Sequence, residues 1–120
     1  MSIRKILKDM VDNVQGGVGA VVMGYDGISI DEYVKEDSNL DLPLLAIEYS
    51  ALLKEIKKTV SVLKIGKMEE VSINTESFLV IIRAINEELF VVLAVMQEGN
   101  YGKGRYLLKV NSLELYKFLA

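Results

Sequence analysis

Hydrophobic positions in the first part of the chain change their period, which marks a helix followed by a β-hairpin. From Ile3 to Val14, apolar residues recur every three or four positions and so share one face of a helix. Gly16-Gly17 predicts the end of this helix, because glycine adopts the left-handed conformation that is common at helix ends. Two short apolar runs, residues 18–25 and 28–34, then flank Asp26-Gly27, a strong hairpin signal.

The next predicted helix is the longest of the chain and has a wide apolar surface. Asp41 is its predicted N-cap, and Pro43 lies in the first turn, where its missing N–H does no harm. Apolar residues at helical spacing form one stripe, namely Leu45, Tyr49, Leu52, Ile56, Val60 and Leu63. Leu44, Ile47 and Ala51 widen this stripe over the first half. A helix packed on one sheet needs an apolar arc of only ~100°, so the extra width predicts a second packing partner.

Three strands are predicted after the second helix. Residues 68–75 alternate between apolar and polar, which is typical of a strand with one buried face. Residues 78–85 and 89–96 are nearly continuous apolar runs, as expected for central strands covered on both faces. Polar residues at 74–77 and 86–88 predict the connecting turns.

The C-terminal segment is open to two interpretations. After Gly102-Lys103-Gly104, the apolar spacing suits one helix, but residues 105–110 could equally form a strand with Ser112 capping a short helix. We interpret the segment as one helix. The sequence then predicts a single domain over residues 1–120 with three α-β-α layers, a five-stranded, mainly antiparallel sheet and the order α-β-β-α-β-β-β-α.

Composition excludes several classes of function. The chain has 120 residues, 51% of them apolar and 26% charged, which is typical of one globular domain. Its net charge of −3 argues against a nucleic-acid-binding protein. No apolar run reaches the ~20 residues of a membrane span, and no secretory signal is evident, so we expect a cytoplasmic protein. Cysteine and histidine are absent. This leaves carboxylates, lysine and tyrosine for catalysis, and no nucleophile and base occur at a recognisable spacing. We therefore predict no catalytic, metal or cofactor-binding residues, and no enzyme activity.

Three groups of residues could still carry a function. The acidic residues between positions 31 and 41 lack the spacing and central glycine of a calcium loop. The glycines at 16, 17 and 19 precede a strand, whereas a phosphate-binding loop precedes a helix. Lys54, Lys57 and Lys58 form a basic stripe on the second helix. It is either an ordinary solvated face or a docking surface for an acidic protein or an anionic membrane.

Four stretches of the sequence together resemble the roadblock / dynein light chain family. They are Gly24-Tyr25-Asp26-Gly27-Ile28, Ser50-Ala51-Leu52, the Gly66 turn with Glu69-Glu70-Val71, and Asn100-Tyr101-Gly102-Lys103-Gly104-Arg105-Tyr106-Leu107. Each motif has low specificity by itself. Their combination spans essentially the whole chain.

The resemblance implies a profilin-like roadblock fold and a homodimer. In this family the third strands of two protomers pair antiparallel to form one continuous sheet. The two long helices lie side by side on one face, and the first and last helices cover the other. Such a dimer would supply the second packing partner that the long helix predicts. Because the resemblance puts Arg105 on the face opposite the expected partner, it implies a structural role for this arginine.

Family members bind Ras-like small GTPases through the surface that carries the paired long helices. The resemblance therefore implies a non-catalytic, homodimeric regulator of a small Ras-like GTPase in the cytoplasm of a prokaryote. The predicted dimer interface comprises Leu45, Tyr49, Leu52, Ile56, Met68, Val71 and Ile73. The predicted partner-binding residues are Glu48, Lys54, Lys57 and Lys58. Two alternatives stay open: a scaffold or light-chain adaptor, and a small-molecule sensor, which would need a ligand cavity between the sheet and the helices.

Overall fold

The computed structural model describes residues 2–119, which form one antiparallel sheet with helices on both faces. The elements in chain order are α1 (Ile3–Asp12), β1 (Gly17–Gly24), β2 (Ser29–Val34), α2 (Leu42–Leu63), β3 (Glu70–Asn74), β4 (Phe78–Ala84), β5 (Leu89–Met96) and α3 (Tyr101–Leu119). The five strands lie in the order β2-β1-β5-β4-β3, so β2 and β3 are the edge strands. The predicted layers, strand number and element order are confirmed.

The first helix ends earlier than its apolar pattern predicts. The Ser2 hydroxyl caps its start by accepting a hydrogen bond from the Lys5 N–H at 3.1 Å. It ends at Asp12, because Asn13 leaves the helical conformation and donates from its side chain to the Asp9 carbonyl at 2.6 Å. Val14 is buried but lies outside the helix. The predicted extension of the helix to Val14 is therefore wrong by two residues.

The predicted hairpin at Asp26-Gly27 is confirmed. Asp26 accepts a hydrogen bond from the Ile28 N–H at 3.0 Å, and Gly27 has a φ of +87°, which favours glycine. The Gly24 N–H closes the turn by donating to the Ile28 carbonyl at 2.9 Å. This turn joins β1, which is buried along its whole length, to the edge strand β2.

The long helix α2 begins and ends as the sequence predicts. Asp41 accepts a hydrogen bond from the Leu44 N–H at 3.2 Å, and Pro43 lies in the first turn. Lys64 caps the end in the left-handed conformation, with a φ of 56°. The side of α2 that is fully buried consists of Leu42, Ala46, Ser50 and Leu53. The apolar stripe that starts at Leu45 is thus not the one that lies deepest against the sheet.

Two apolar cores lie on opposite faces of the sheet. One packs α1 and α3 on the sheet, and the other packs α2 on it. Strand β3 is shorter than the predicted residues 68–75, since it begins at Glu70 and ends at Asn74. Within it the alternation is as predicted, because Val71 and Ile73 pack against the core below α2. Glu70 and Ser72 lie on the opposite face, where they contact side chains of α3.

The C-terminal segment is one helix, so the alternative of a strand at 105–110 is wrong. Asn100 accepts a hydrogen bond from the Lys103 N–H at 3.0 Å, which caps the first turn. Gly104 is buried, and a Cβ atom at this position would lie 3.3 Å from Cδ1 of Ile81 in β4. The helix is therefore packed closely on the sheet. No helix within residues 2–119 has the length and apolar character needed to cross a membrane.

Candidate functional site

The outer side of α2 exposes a broad apolar surface. Leu44, Ile47 and Leu52 are 54%, 47% and 46% exposed. Ser50 and Leu53, which belong to the buried side of the same helix, are almost completely covered. Because contact with the sheet needs only one side of α2, its remaining apolar side chains are left uncovered by the chain itself. We call the exposed trio Leu44, Ile47 and Leu52 the α2 apolar face.

The predicted dimer residues lie in α2 and in or just before β3. Six of the seven pack at the margin of the core below α2 and are half-buried: Leu45, Tyr49, Ile56, Met68, Val71 and Ile73. Leu52 is exposed. The structure therefore brings all seven to the same side of the sheet. Their contact with a second copy stays a prediction.

Strand β3 forms an open edge of the sheet. Within the described residues it pairs only with β4, so one row of its backbone N–H and C=O groups has no strand beside it. An open edge of this kind is a template for another strand. Val71 and Ile73 of this strand are half-buried and lie on the sheet face that α2 covers.

Glu70 holds β3 in place from the other face. Its carboxylate accepts a hydrogen bond from Arg83 in β4 at 3.2 Å and another from Nε of Arg105 in α3 at 2.8 Å. The hydroxyl of Tyr101 also donates to Ser72 at 2.8 Å. The Glu70 hydrogen bond and its negative charge raise the pKa of Arg105. These contacts tie α3 to the edge strand, and they give Arg105 a structural partner.

The predicted partner-binding residues differ in their surroundings. Glu48, Lys54 and Lys58 are exposed. Lys57 is half-buried: its ammonium donates to the carbonyl of Glu87 at 2.9 Å and lies 3.9 Å from the centre of the Tyr25 ring. Its charge is therefore engaged within the fold. Sequence spacing does not indicate this, since Glu87 and Tyr25 are about thirty positions away from Lys57.

An open cleft of about 870 Å³ is a feature that the sequence pattern does not indicate. It lies between the second half of α2, the segment that leads into β3, the β4–β5 turn and α3. Lys67 donates to Glu87 at its rim with an N–O distance of 2.9 Å, and this contact lowers the pKa of Glu87. Tyr25 lies in its wall, and burial together with the charge of Glu87 raises the pKa of Tyr25 to about 12.

Solved structures show which family shares this arrangement. MglC from Myxococcus xanthus is 40% identical to this chain. The alignment covers 98% of this chain and 98% of MglC, and the two structures superpose with a TM-score of 0.71. The Roadblock/LC7 domain from Streptomyces avermitilis is 13% identical, covers 99% of this chain and 98% of its own, and has a TM-score of 0.84. The chain belongs to the roadblock/LC7 family.

Other roadblock structures share the fold at low identity. MglB with a tetrameric arrangement is 15% identical to this roadblock chain, covers 94% of it and 84% of its own chain, and has a TM-score of 0.84. The predicted profilin-like roadblock fold is confirmed. No family model matches the sequence, and no curated protein matches it either.

Proposed function

We propose that this roadblock chain is a single non-catalytic domain that forms a homodimer and, as a dimer, binds and regulates a small Ras-like GTPase in the cytoplasm. The observations behind this proposal are the α2 apolar face and the open edge of β3, whose Val71 and Ile73 pack against the same core as α2.

Self-association accounts for both features of this surface. Burying a large apolar side chain stabilises a complex by about 1.5–3 kcal/mol, so covering Leu44, Ile47 and Leu52 gives a substantial driving force. In a two-fold dimer the same surface serves both copies, because the contact is self-complementary. Two β3 edges can pair antiparallel in such a dimer, which would remove the exposed edge. The tetrameric arrangement of MglB, a roadblock fold, supports self-association as a use of this architecture.

The exposed charges of α2 supply the partner-binding part of the proposal. Lys54 and Lys58 form no ion pair within residues 2–119, although the whole chain carries a net charge of −3. Two-fold symmetry would double these charges beside Glu48 on the paired helices. A local basic surface attracts and orients an acidic partner, here the GTPase class that family membership suggests. Regulation would follow if the dimer binds one switch conformation of the GTPase better than the other.

A pull-down with candidate GTPases loaded with GTP or GDP tests the partner. We expect the dimer to retain one nucleotide state more than the other. The double variant Lys54→Glu, Lys58→Glu should weaken this binding by about tenfold or more, because it replaces attraction with repulsion. The matched control Lys103→Glu, Lys109→Glu makes the same charge change on α3 and should bind like the parent.

Two outcomes would count against a GTPase regulator. Equal and negligible retention of both nucleotide states would contradict the proposal that the partner is one of these GTPases. Equal, strong retention of both states would keep a binding role and favour the scaffold or adaptor alternative, because a regulator must distinguish the states. Circular dichroism of each variant checks that the fold is unchanged.

A further inference from the structure

The outer side of α3 exposes apolar side chains between two lysines. Tyr106, Val110 and Leu113 are 64%, 41% and 61% exposed. They follow one another at spacings of four and three residues, so they share one side of the helix, opposite the residues that face the sheet. Lys103 and Lys117 continue this row at its two ends, and both are exposed. We call these five residues the α3 outer stripe, which spans about 21 Å of helix.

Positive charge is concentrated in α3, although the chain as a whole is acidic. Residues 101–119 contain four basic residues and one acidic residue, whereas the net charge of the chain is −3. Lys103, Lys109 and Lys117 are exposed and form no ion pair within residues 2–119. Lys109 lies beside the stripe, one helical turn before Leu113. Three exposed lysines without a counter-charge attract an anionic surface.

We propose that the α3 outer stripe binds the surface of an anionic lipid membrane. The three lysines would lie at the lipid phosphates, because juxtamembrane lysines are attracted to anionic leaflets. Tyr106, Val110 and Leu113 would contact the boundary between headgroups and acyl chains, as the apolar side chains of interfacial helices do. The helix would lie along the membrane surface while its other side stays packed on the sheet.

The residue types of the stripe favour a lipid surface over an acidic protein. Lysine is depleted at interfaces between proteins. At a membrane its aliphatic stem can lie along apolar surface while the ammonium reaches the phosphates. Tyrosine is enriched where a membrane meets water. Lysines that alternate with tyrosine and aliphatic residues therefore fit a bilayer better than a protein.

The proposed membrane contact uses the side of the sheet opposite α2. Helix α3 packs on one face of the sheet and α2 on the other. Each chain contains the complete stripe, so membrane binding does not require the proposed dimer or a GTPase. Antiparallel pairing of two β3 strands would place both α3 outer stripes on one side of the dimer, which would strengthen binding through two contacts.

Flotation of the full chain with lipid vesicles tests this inference. Vesicles of phosphatidylcholine with about one third phosphatidylglycerol provide the anionic surface, and pure phosphatidylcholine is the control. We expect the protein to float with the anionic vesicles only, at lipid concentrations up to about 10 mM. Raising the salt concentration should reduce this binding, because salt screens the attraction between exposed charges.

Two matched triple variants identify the surface that binds. One replaces Lys103, Lys109 and Lys117 of α3 with glutamine. It should weaken vesicle binding at least about a hundredfold, since each lysine near an anionic bilayer contributes about fivefold. The other replaces three exposed lysines of α2 and its C-cap that also form no ion pair within residues 2–119, namely Lys54, Lys58 and Lys64. It should bind vesicles like the parent.

A tryptophan reporter tests the apolar contact, because the chain contains no tryptophan of its own. The fluorescence of Leu113→Trp should shift to shorter wavelength with anionic vesicles, as the ring leaves water. Val62→Trp places the same reporter at a 72% exposed position on α2 and should show no shift. Circular dichroism confirms that each variant keeps the fold.

Several results would overturn this inference. One is an absence of preference for anionic over pure phosphatidylcholine vesicles, which would leave an acidic protein as the partner of the stripe. Another is an equal loss of vesicle binding in the two triple variants. A third is an unchanged spectrum of vesicle-bound Leu113→Trp. Light scattering on the same samples reports dimer formation separately, so failure of membrane binding and failure of the proposed dimer are distinguishable.

Discussion

Single residues join elements that are distant in the sequence, and Glu70 is the clearest case. Its carboxylate contacts Arg83 on the neighbouring strand and Arg105 on α3, so one side chain links three elements. Glu70 and Arg83 side chains are each only 16% exposed, which makes their pairing stronger than that of an ordinary surface ion pair. Glu69, the preceding residue, is exposed and makes no such contact within residues 2–119.

Replacing Glu70 with glutamine should therefore destabilise the fold. Glu70→Gln keeps the shape of the side chain but removes the charge that faces a largely buried guanidinium. We expect the free energy of unfolding to fall by about 1–3 kcal/mol, the range for hydrogen bonds to charged groups. Urea unfolding followed by circular dichroism measures this change. The control Glu69→Gln should stay within about 0.5 kcal/mol of the parent, and equal losses for both variants would contradict the assigned role.

At the scale of elements, the distance between α3 and the sheet depends on Gly104. A Cβ atom here would lie 3.3 Å from Ile81, 3.5 Å from Leu93 and 3.5 Å from Val95. The absence of a side chain thus lets the helix approach β4 and β5. Gly102 lies two positions earlier on the exposed side of α3, where the nearest atom to a Cβ would be 3.9 Å away.

Substitution by leucine should have opposite effects on stability at Gly104 and at Gly102. Gly104→Leu should lower stability by about 1–3 kcal/mol, because a large side chain overpacks the contact with the sheet. Gly102→Leu should leave stability unchanged or slightly higher, since it removes a residue with poor helix propensity without a clash. Thermal unfolding compares the two variants with the parent. A stable Gly104→Leu variant would show that α3 is not closely seated on the sheet.

At the scale of the whole molecule, the fold buries one side of α2 and leaves apolar side chains on the other side exposed. On the opposite side of the sheet, α3 also exposes apolar residues, including Leu113 at 61%. Exposure alone therefore does not identify an interface. The α2 apolar face differs because α2 packs against the same core as Val71 and Ile73 of the open edge strand β3. Strand pairing together with helix packing would give a two-fold contact a defined geometry.

Solution mass tests this interface most directly. We expect light scattering at micromolar concentration to give twice the chain mass of 13.4 kDa. Leu52→Glu should shift the mass to that of a monomer, because it places a charge in the proposed apolar contact. The matched control Leu113→Glu makes the same change on α3 and should stay dimeric. A parent chain that is a stable monomer would remove the proposed binding platform.

The sequence predicts most of the elements and only part of the candidate site. The Asp26-Gly27 turn, the Asp41 cap and the single C-terminal helix are confirmed. The end of the first helix is not, because Asn13 terminates it through its own hydrogen bonds before the glycines are reached. In the basic stripe, helical spacing does not distinguish Lys57 from Lys58, although within residues 2–119 only Lys57 of the two bonds to Glu87.

By itself, the sequence determined the order and type of the elements, together with the excess of apolar surface on α2. These features depend on local periodicity, turn chemistry and caps, which act over a few residues. Only the tertiary structure decided which side of α2 meets the sheet, that Glu70 joins three elements, and that the ammonium of Lys57 bonds to the carbonyl of Glu87. Each of these depends on contacts between residues far apart in the chain, for which a local pattern contains no signal.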